Sequence, residues 1–167
     1  MNRFSVGSIG GSCTPIRDDQ YSTTLINMIG SARRRCLCSI FIVNFNSQYA
    51  GFTGILEALE DARWLGVDVR VLIGGSRENY NIAESSASAR AIFQDRKIFS
   101  HWLTSRPMQQ SSHAKFVIVD DTTLLGSHNW SQGAFTNQIQ DSIQIHSPDL
   151  ASFLAGFFNR QWRRGEM

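Results

Sequence analysis

The chain contains 167 residues, of which 42% are hydrophobic and 18% are charged. This composition is that of an ordinary folded protein and excludes a disordered one, because disordered chains carry few apolar residues. The 16 basic and 14 acidic residues nearly balance, so the charge permits a polyanionic partner without requiring one. We therefore expect one domain over residues 1–167, built around a single hydrophobic core.

The N-terminal segment contains no apolar stretch of the length that a secretory signal requires. The longest apolar run, residues 36–45, is interrupted by polar side chains and is too short to cross a bilayer. These features predict a cytoplasmic protein without a membrane segment. Cys36 and Cys38 alternate within a predicted strand, which favours free buried thiols over metal ligands.

The first half of the chain alternates predicted strands and helices. Residues 4–9 predict a first strand, and residues 16–35 carry apolar side chains at helical spacing. Residues 36–44 are the best candidate for a central strand. A helix capped by Thr53 and ended by Gly66 follows, and then a buried strand at residues 67–73. Two strands joined by a helix form a crossover, so these strands are predicted to be parallel.

Several arginines are candidates for binding phosphate. Arg77 lies in the loop after the strand that ends at residue 73, and loops after parallel strands commonly bind ligands. Arg106 lies in the polar loop of residues 104–112, which leads directly into the most informative segment of the chain. The triplet at residues 33–35 is interpreted as a solvated helix end that complements the helix dipole, with a nucleic-acid patch as the alternative.

Residues 82–94 predict a third helix, and residues 98–103 predict a further strand. The most informative segment then begins with His113 and Lys115, which precede a short run of apolar and β-branched residues that reads as a buried strand. Because side chains alternate between the two faces of a strand, the imidazole and the ammonium group are predicted to share one surface.

A turn follows at residues 120–123, and a second apolar strand then leads into Gly126, Ser127, His128 and Asn129. Alternation places Ser127 and Asn129 on one face and His128 on the other. If the two strands pair as a hairpin, four polar side chains meet at one end of it. They are His113, Lys115, Ser127 and Asn129.

These four side chains supply what the cleavage of a phosphodiester needs, namely a nucleophile or base, a fixed cation and two hydrogen-bonding groups. No cluster of carboxylates surrounds the segment, so the sequence predicts neither a bound metal nor another cofactor. The imidazole of His113 must then attack phosphorus itself, while Lys115 and Asn129 bind the phosphoryl oxygens. Asp120 alternates to the opposite face and is predicted to organise the turn.

The last part of the chain predicts a strand at residues 141–146 and a closing helix. Ser147, Pro148 and Asp149 form a strong helix start, and apolar side chains recur at helical spacing as far as Trp162. Taken together, the elements predict an α/β fold with a mixed β-sheet sandwiched between helices. The sheet is predicted to be parallel in its first half and antiparallel near the hairpin.

The pattern of the central segment resembles the signature of the phospholipase D superfamily, which is His-x-Lys, four residues, Asp, and later Gly-Ser-x-Asn. Its single copy resembles the small bacterial endonucleases of that superfamily. Five residues separate Asp120 from Gly126, where the superfamily usually has six. Either the hairpin turn is tighter by one residue, or Ser127 and Asn129 are displaced.

The resemblance implies further features of the site. Longer superfamily members carry two motifs and short ones dimerise, so a homodimer with one composite active site is expected. In the superfamily an acidic residue downstream of the second motif orients the nucleophile. Asp141 is the nearest acid here, and Gln140 or a backbone carbonyl group are the alternatives. A second imidazole, His113 of the partner subunit, would protonate the leaving group.

The sequence thus favours a metal-independent endonuclease that cuts DNA, or else RNA, through a phosphohistidine intermediate. A lipid phosphodiesterase of the same superfamily is the first alternative, although the absence of a hydrophobic loop or lipid anchor favours nucleic acid over a membrane. A catalytically inactive subunit that binds nucleic acid or serves assembly is the second alternative, motivated by the shortened spacing. A further protein partner is left open.

Overall fold

The computed structural model describes residues 10–45, 49–75, 79–103 and 112–165. The strands are β1 (Ser12–Arg17), β2 (Arg35–Ile40), β3 (Val43–Asn44), β4 (Asp68–Ile73), β5 (Phe99–Trp102), β6 (Phe116–Val119), β7 (Thr122–Gly126), β8 (Trp130–Ser131) and β9 (Asp141–His146). The α-helices are α1 (Tyr21–Gly30), α2 (Ala50–Trp64), α3 (Tyr80–Asp95), α4 (Gln132–Thr136) and α5 (Pro148–Trp162).

Seven strands form one mixed sheet in the order β1-β9-β7-β6-β2-β4-β5. Strands β2, β4 and β5 are parallel to one another, whereas β6, β7, β9 and β1 continue the sheet in antiparallel fashion. Strands β3 and β8 form a separate parallel pair. The predicted α/β class is confirmed, as are the parallel crossover and the hairpin.

The sheet has a hydrophobic core on each face, and the expectation of a single core is therefore wrong. Cys36, Cys38 and Ile40 of β2 point to the face covered by α1, α2 and α3. Leu37 points to the other face, which packs against Ala155 and other residues of α5. Side chains of one strand alternate between the two faces and so contribute to both cores, because helices cover both sides of the sheet.

The first predicted helix is wrong over half of its length. Residues 12–17 form β1, which pairs with β9 over its whole length, and α1 then occupies only Tyr21–Gly30. Edge pairing with a distant strand outweighs the local helical spacing of the apolar residues. The arginine triplet therefore lies in the segment after α1, where Arg35 begins β2, and not at the end of a helix. The predicted strand at residues 4–9 lies outside the described residues.

Two further boundaries differ from the predictions. Helix α2 begins at Ala50, so Thr53 lies inside it and does not cap it. The predicted strand at residues 36–44 divides in two, because the chain leaves the large sheet after Ile40 and pairs with β8 at Val43. The end of α2 near Gly66 is confirmed, and this glycine has φ of 85°. Within the described residues, no helix is both long and apolar enough to cross a membrane.

Candidate active site

The candidate site lies where the carboxyl ends of β2 and β4 meet the entrance to β6. Because β6 runs antiparallel to β2, its first residues lie beside the last residues of β2, with Phe116 paired with Ser39. The N–H group of Gly74, just after β4, donates to the carbonyl group of Ile40 at 2.7 Å. A side chain on Gly74 would collide with the carbonyl oxygen of Ser112, so only glycine allows this approach.

His113 and Lys115 lie together at this edge, as the predicted alternation requires. The Lys115 Nζ is 3.3 Å from Nδ1 of His113 and donates to the carbonyl oxygen of His113 at 3.0 Å. The imidazole is exposed and the lysine is half-buried. An accessible nitrogen base and a cation therefore stand side by side at the surface, where a phosphate group could contact both.

The electrostatics of the pair favour a neutral imidazole. Partial burial lowers the pKa of His113, and the positive charge of Lys115 lowers it further. Burial also lowers the pKa of Lys115. Both effects favour the neutral imidazole, which is the state required for nucleophilic attack.

Phe41 is a third member of the site, and the sequence reasoning missed it. Its ring centroid lies 4.4 Å from that of His113, and the Lys115 Nζ lies 5.1 Å from the centre of the same ring. The signal that could have revealed it is its position directly after a central parallel strand, where ligands commonly bind.

Asn129 is joined to the site through the backbone after β2. Its side-chain oxygen accepts a hydrogen bond from the N–H group of Ile42 at 3.1 Å. The next residue, Trp130, donates its own N–H group to the carbonyl oxygen of Ile42 at 3.0 Å. Asn129 thus lies beside the segment that carries Phe41, although its side-chain oxygen is engaged in a structural bond.

Ser127 connects the hairpin to the start of β9. Its hydroxyl group donates to the side-chain oxygen of Gln140 and accepts the N–H group of Asp141 at 3.1 Å. The backbone N–H group of Ser127 donates to the carbonyl oxygen of Asp141 at 2.9 Å. The described contacts of Ser127 are therefore with residues 140–141, and none joins it to His113 or Lys115.

Asp141 is placed next to Ser127 and not next to His113. Its backbone makes the contacts with Ser127, while its side chain is exposed. Its negative charge acts on His128, where it opposes the lowering of that pKa by burial. Within the described residues, no hydrogen bond joins His113 to Asp141 or Gln140, so the predicted orientation of His113 by either residue stays a prediction.

Asp120 organises the hairpin turn, as predicted. Its carboxylate accepts the backbone N–H groups of three consecutive residues at 2.9 to 3.0 Å, namely Arg33, Arg34 and Arg35. Burial raises the pKa of Asp120, but these donors and the nearby charge of Arg34 outweigh burial and hold it below its ordinary value.

The turn between Asp120 and the second half of the motif is short. Val119 pairs directly with Thr122, so only Asp120 and Asp121 lie in the loop. Asp120 has φ of 51°, a left-handed conformation that aspartate tolerates better than most residues. The loop between β6 and β7 is therefore short, while Ser127, beyond β7, contacts residues 140–141 and neither His113 nor Lys115.

The other histidines lie outside the site. His128 is buried against the opposite side of the hairpin, stacks on Tyr21 with ring centroids 4.0 Å apart, and bonds to Ser142 at 2.8 Å. His101 stacks on Trp162 at the far end of α5. Trp130 is fully buried, as predicted. The remaining two candidates, Arg77 and Arg106, lie outside the described residues.

The described part of the chain contains no group of three or more histidine, cysteine, aspartate or glutamate side chains that could together hold a metal ion. Cys36 and Cys38 are both buried, with sulfur atoms 3.7 Å apart, and burial raises the pKa of the Cys38 thiol. These two thiols are consistent with the packing role predicted for them.

Comparisons with known proteins give a consistent result. A family model described as "Cardiolipin synthase, PLD-like domain" matches residues 25–162. Among curated proteins, phospholipase D Z of Dictyostelium discoideum is 29% identical over 106 residues, which is 58% of this chain and 24% of that protein. The chain thus spans about a quarter of the length of this relative.

Two solved structures share the fold over nearly their whole length. The phospholipase D family member Nuc from Salmonella typhimurium has a TM-score of 0.76 and 22% identity, and the alignment covers 94% of this chain and 97% of Nuc. NucT from Helicobacter pylori has a TM-score of 0.71 and 16% identity, with 94% and 99% covered. At these identities the likeness establishes the fold.

Proposed function

This chain belongs to the PLD-like domain family of the phospholipase D superfamily, a superfamily of phosphodiesterases, and we propose that it is a metal-independent nuclease that hydrolyses DNA. The observation that carries this proposal is the pairing of His113 and Lys115, whose Nδ1 and Nζ atoms lie 3.3 Å apart at an accessible edge of the sheet. A neutral imidazole beside a cation is suited to attack on an anionic phosphodiester.

The proposed reaction has two steps. In the first, a ring nitrogen of His113 forms a bond to phosphorus while the bond from phosphorus to the leaving oxygen breaks, and that oxygen takes a proton from a second imidazole. In the second, water attacks the phosphohistidine, gives a proton to that imidazole and releases His113. Lys115 offsets the negative charge on the phosphoryl oxygens in both steps. Asn129 would contribute through its amide N–H groups, since its oxygen is occupied.

The second imidazole is proposed to be His113 of the partner subunit. Among the described residues, no other histidine lies beside His113, because His101 stacks on Trp162 and His128 bonds to Ser142. A two-fold axis would present the same His-x-Lys segment from both sides of one cleft, since an isologous contact repeats each residue. The active unit is then a homodimer of single-domain chains.

The single copy of the His-x-Lys motif favours nucleic acid over lipid as the substrate. The sequence carries one copy of the motif and resembles the small single-motif endonucleases. Its fold is similar to those of Nuc and NucT, with TM-scores of 0.76 and 0.71. The net charge of +2 does not decide between the two substrates.

The direct test is incubation of the purified protein with labelled DNA, labelled RNA and phosphatidylcholine vesicles, each in excess EDTA. We expect cleavage of DNA that EDTA does not abolish. A strict requirement for a divalent cation would contradict the proposed use of His113 as the nucleophile. Cleavage of RNA but not DNA would show that the substrate is RNA and would leave the proposed mechanism unchanged.

A lipid phosphodiesterase is the second candidate, because the matching family model and the curated relative both carry lipid-related names. It would be supported by phosphatidylcholine hydrolysis without nuclease activity. An inactive nucleic-acid-binding subunit would instead bind DNA tightly without cutting it, and binding would be unchanged in His113→Ala.

A further inference from the structure

Phe41 contacts both members of the proposed catalytic pair. The ring planes of Phe41 and His113 are inclined at 50° with centroids 4.4 Å apart, and the same phenyl ring lies 5.1 Å from the Lys115 Nζ. The distance to Lys115 is within the range of cation–π interactions. One aromatic side chain thus covers part of the imidazole and faces the ammonium group.

The backbone around Phe41 is held firmly from two sides. The following residue, Ile42, is bonded through its N–H group to Asn129 at 3.1 Å and through its carbonyl group to the N–H group of Trp130 at 3.0 Å. On the other side, a Cβ on Gly74 would lie 2.9 Å from the Phe41 Cα and 3.0 Å from its ring. The backbone on either side of Phe41 is therefore bonded to distant parts of the chain, at Gly74 and at residues 129–130.

We propose that Phe41 is a positioning residue of the active site, which fixes the orientation of the His113 imidazole and keeps the Lys115 ammonium group beside it. This proposal rests on the proposed function, because it assigns to Phe41 a role in the reaction of His113 and Lys115. Asn129 contributes indirectly, since its bond to Ile42 holds the segment that carries the ring.

The physical basis is that Phe41 acts differently on the two groups. Contact with the phenyl ring removes water from part of the imidazole and disfavours the protonated form, which agrees with the lowered pKa of His113. The face of the ring attracts the Lys115 cation and opposes the effect of burial on that group. Among the described residues, Lys115 is the charged group that acts on His113.

The test uses three variants of Phe41 in the full chain, with Phe153→Ala as the matched control, because Phe153 is a half-exposed phenylalanine on α5. NMR titration of the His113 ring without substrate should show that Phe41→Ala raises its pKa toward the ordinary value, whereas Phe41→Tyr and Phe153→Ala leave it unchanged. An unchanged pKa in folded Phe41→Ala would overturn the proposal.

Turnover of labelled DNA provides a second measurement. Phe41→Leu retains apolar bulk but not the ring, so we expect kcat to fall by about tenfold or more with a smaller change in KM, while Phe41→Tyr keeps kcat near that of the wild type. Wild-type turnover in Phe41→Leu would overturn the proposal, even if Phe41→Ala fails to fold. If the wild type cleaves nothing, the proposed function fails, and the titration alone still decides the role of Phe41.

Discussion

At the scale of single residues, burial and contacts separate the four histidines of the chain. His113 is exposed beside a cation, whereas His128 is buried in a stack with Tyr21. His101 is stacked on Trp162, and His146 lies at the exposed end of β9. Only His113 among them combines an accessible ring with a neighbouring positive charge.

We expect His113→Ala to abolish turnover, with a loss of about four orders of magnitude or more, because the variant lacks the proposed nucleophile. The matched control is His146→Ala, since the His146 ring is exposed and, among the described residues, is bonded to the hydroxyl group of Thr122 at 3.1 Å. Initial rates on labelled DNA measure both variants. Equal losses in the two would show that activity does not depend on the His113 site.

The pH dependence of kcat/KM should reflect the environment of His113. Attack requires the neutral imidazole, and burial together with Lys115 lowers the pKa of this group. The acidic limb of the profile should therefore lie below about 6.5, the ordinary value for histidine, while loss of the proton from the second imidazole produces a separate alkaline limb. A pH profile of initial rates checks this, and an acidic limb centred above that value would contradict it.

At the scale of secondary-structure elements, the β6–β7 hairpin depends on one carboxylate. Asp120 binds the N–H groups of residues 33–35, and the Arg35 guanidinium in turn donates to the Asp120 carbonyl oxygen at 2.9 Å. The hairpin that positions Lys115 and Ser127 is thereby fastened to the start of the central strand β2. Asp120 thus supports the site from the opposite end of the hairpin.

Replacing Asp120 with alanine should lower the free energy of unfolding by about 1–3 kcal/mol, because several backbone donors lose their acceptor. The matched control is Asp121→Ala, which removes an exposed ion pair with Arg34 worth at most about 1 kcal/mol. Urea denaturation at neutral pH measures both. A larger effect for Asp121→Ala would show that the ion pair, and not the backbone clamp, secures the turn.

Lowering the pH should remove the contribution of Asp120 to the free energy of unfolding. The pKa of folded Asp120 is lowered, so its contribution to stability is complete above the ordinary aspartate value of about 3.9 and is lost as the pH falls through the folded pKa. The stability difference between wild type and Asp120→Ala should therefore shrink at low pH.

Elements with strong local patterns were predictable from the sequence, and those that depend on distant partners were not. Strand β9 and the start of α5 follow from alternation and from a Ser-Pro-Asp helix start, and both are confirmed. Strand β1 has mostly exposed residues and owes its conformation to β9, so its own sequence carries little strand signal. The short helix α4 was missed because five residues contain too little periodicity.

At the scale of the whole molecule, the site also contains contacts that follow from local sequence patterns and contacts that depend on distant partners. Neighbours on one strand, such as His113 and Lys115, follow from alternation, which depends only on the local backbone. The contacts of Phe41 with His113, and of Ile42 with Asn129, join residues far apart in sequence and depend on strand order. Strand order is set by the packing of the complete sheet, so a local pattern can mark Phe41 as a residue after a central strand but cannot show that it contacts His113.

The proposed composite site makes a quantitative prediction for mixed dimers. If each active site needs His113 from both subunits, only dimers of two wild-type chains are active. Activity after refolding a mixture with His113→Ala should then vary as the square of the wild-type fraction. An equal mixture would retain about one quarter of the activity, against about one half if each chain acted alone. A linear dependence would contradict the composite site without excluding His113 as nucleophile, because each subunit would then supply its own proton donor.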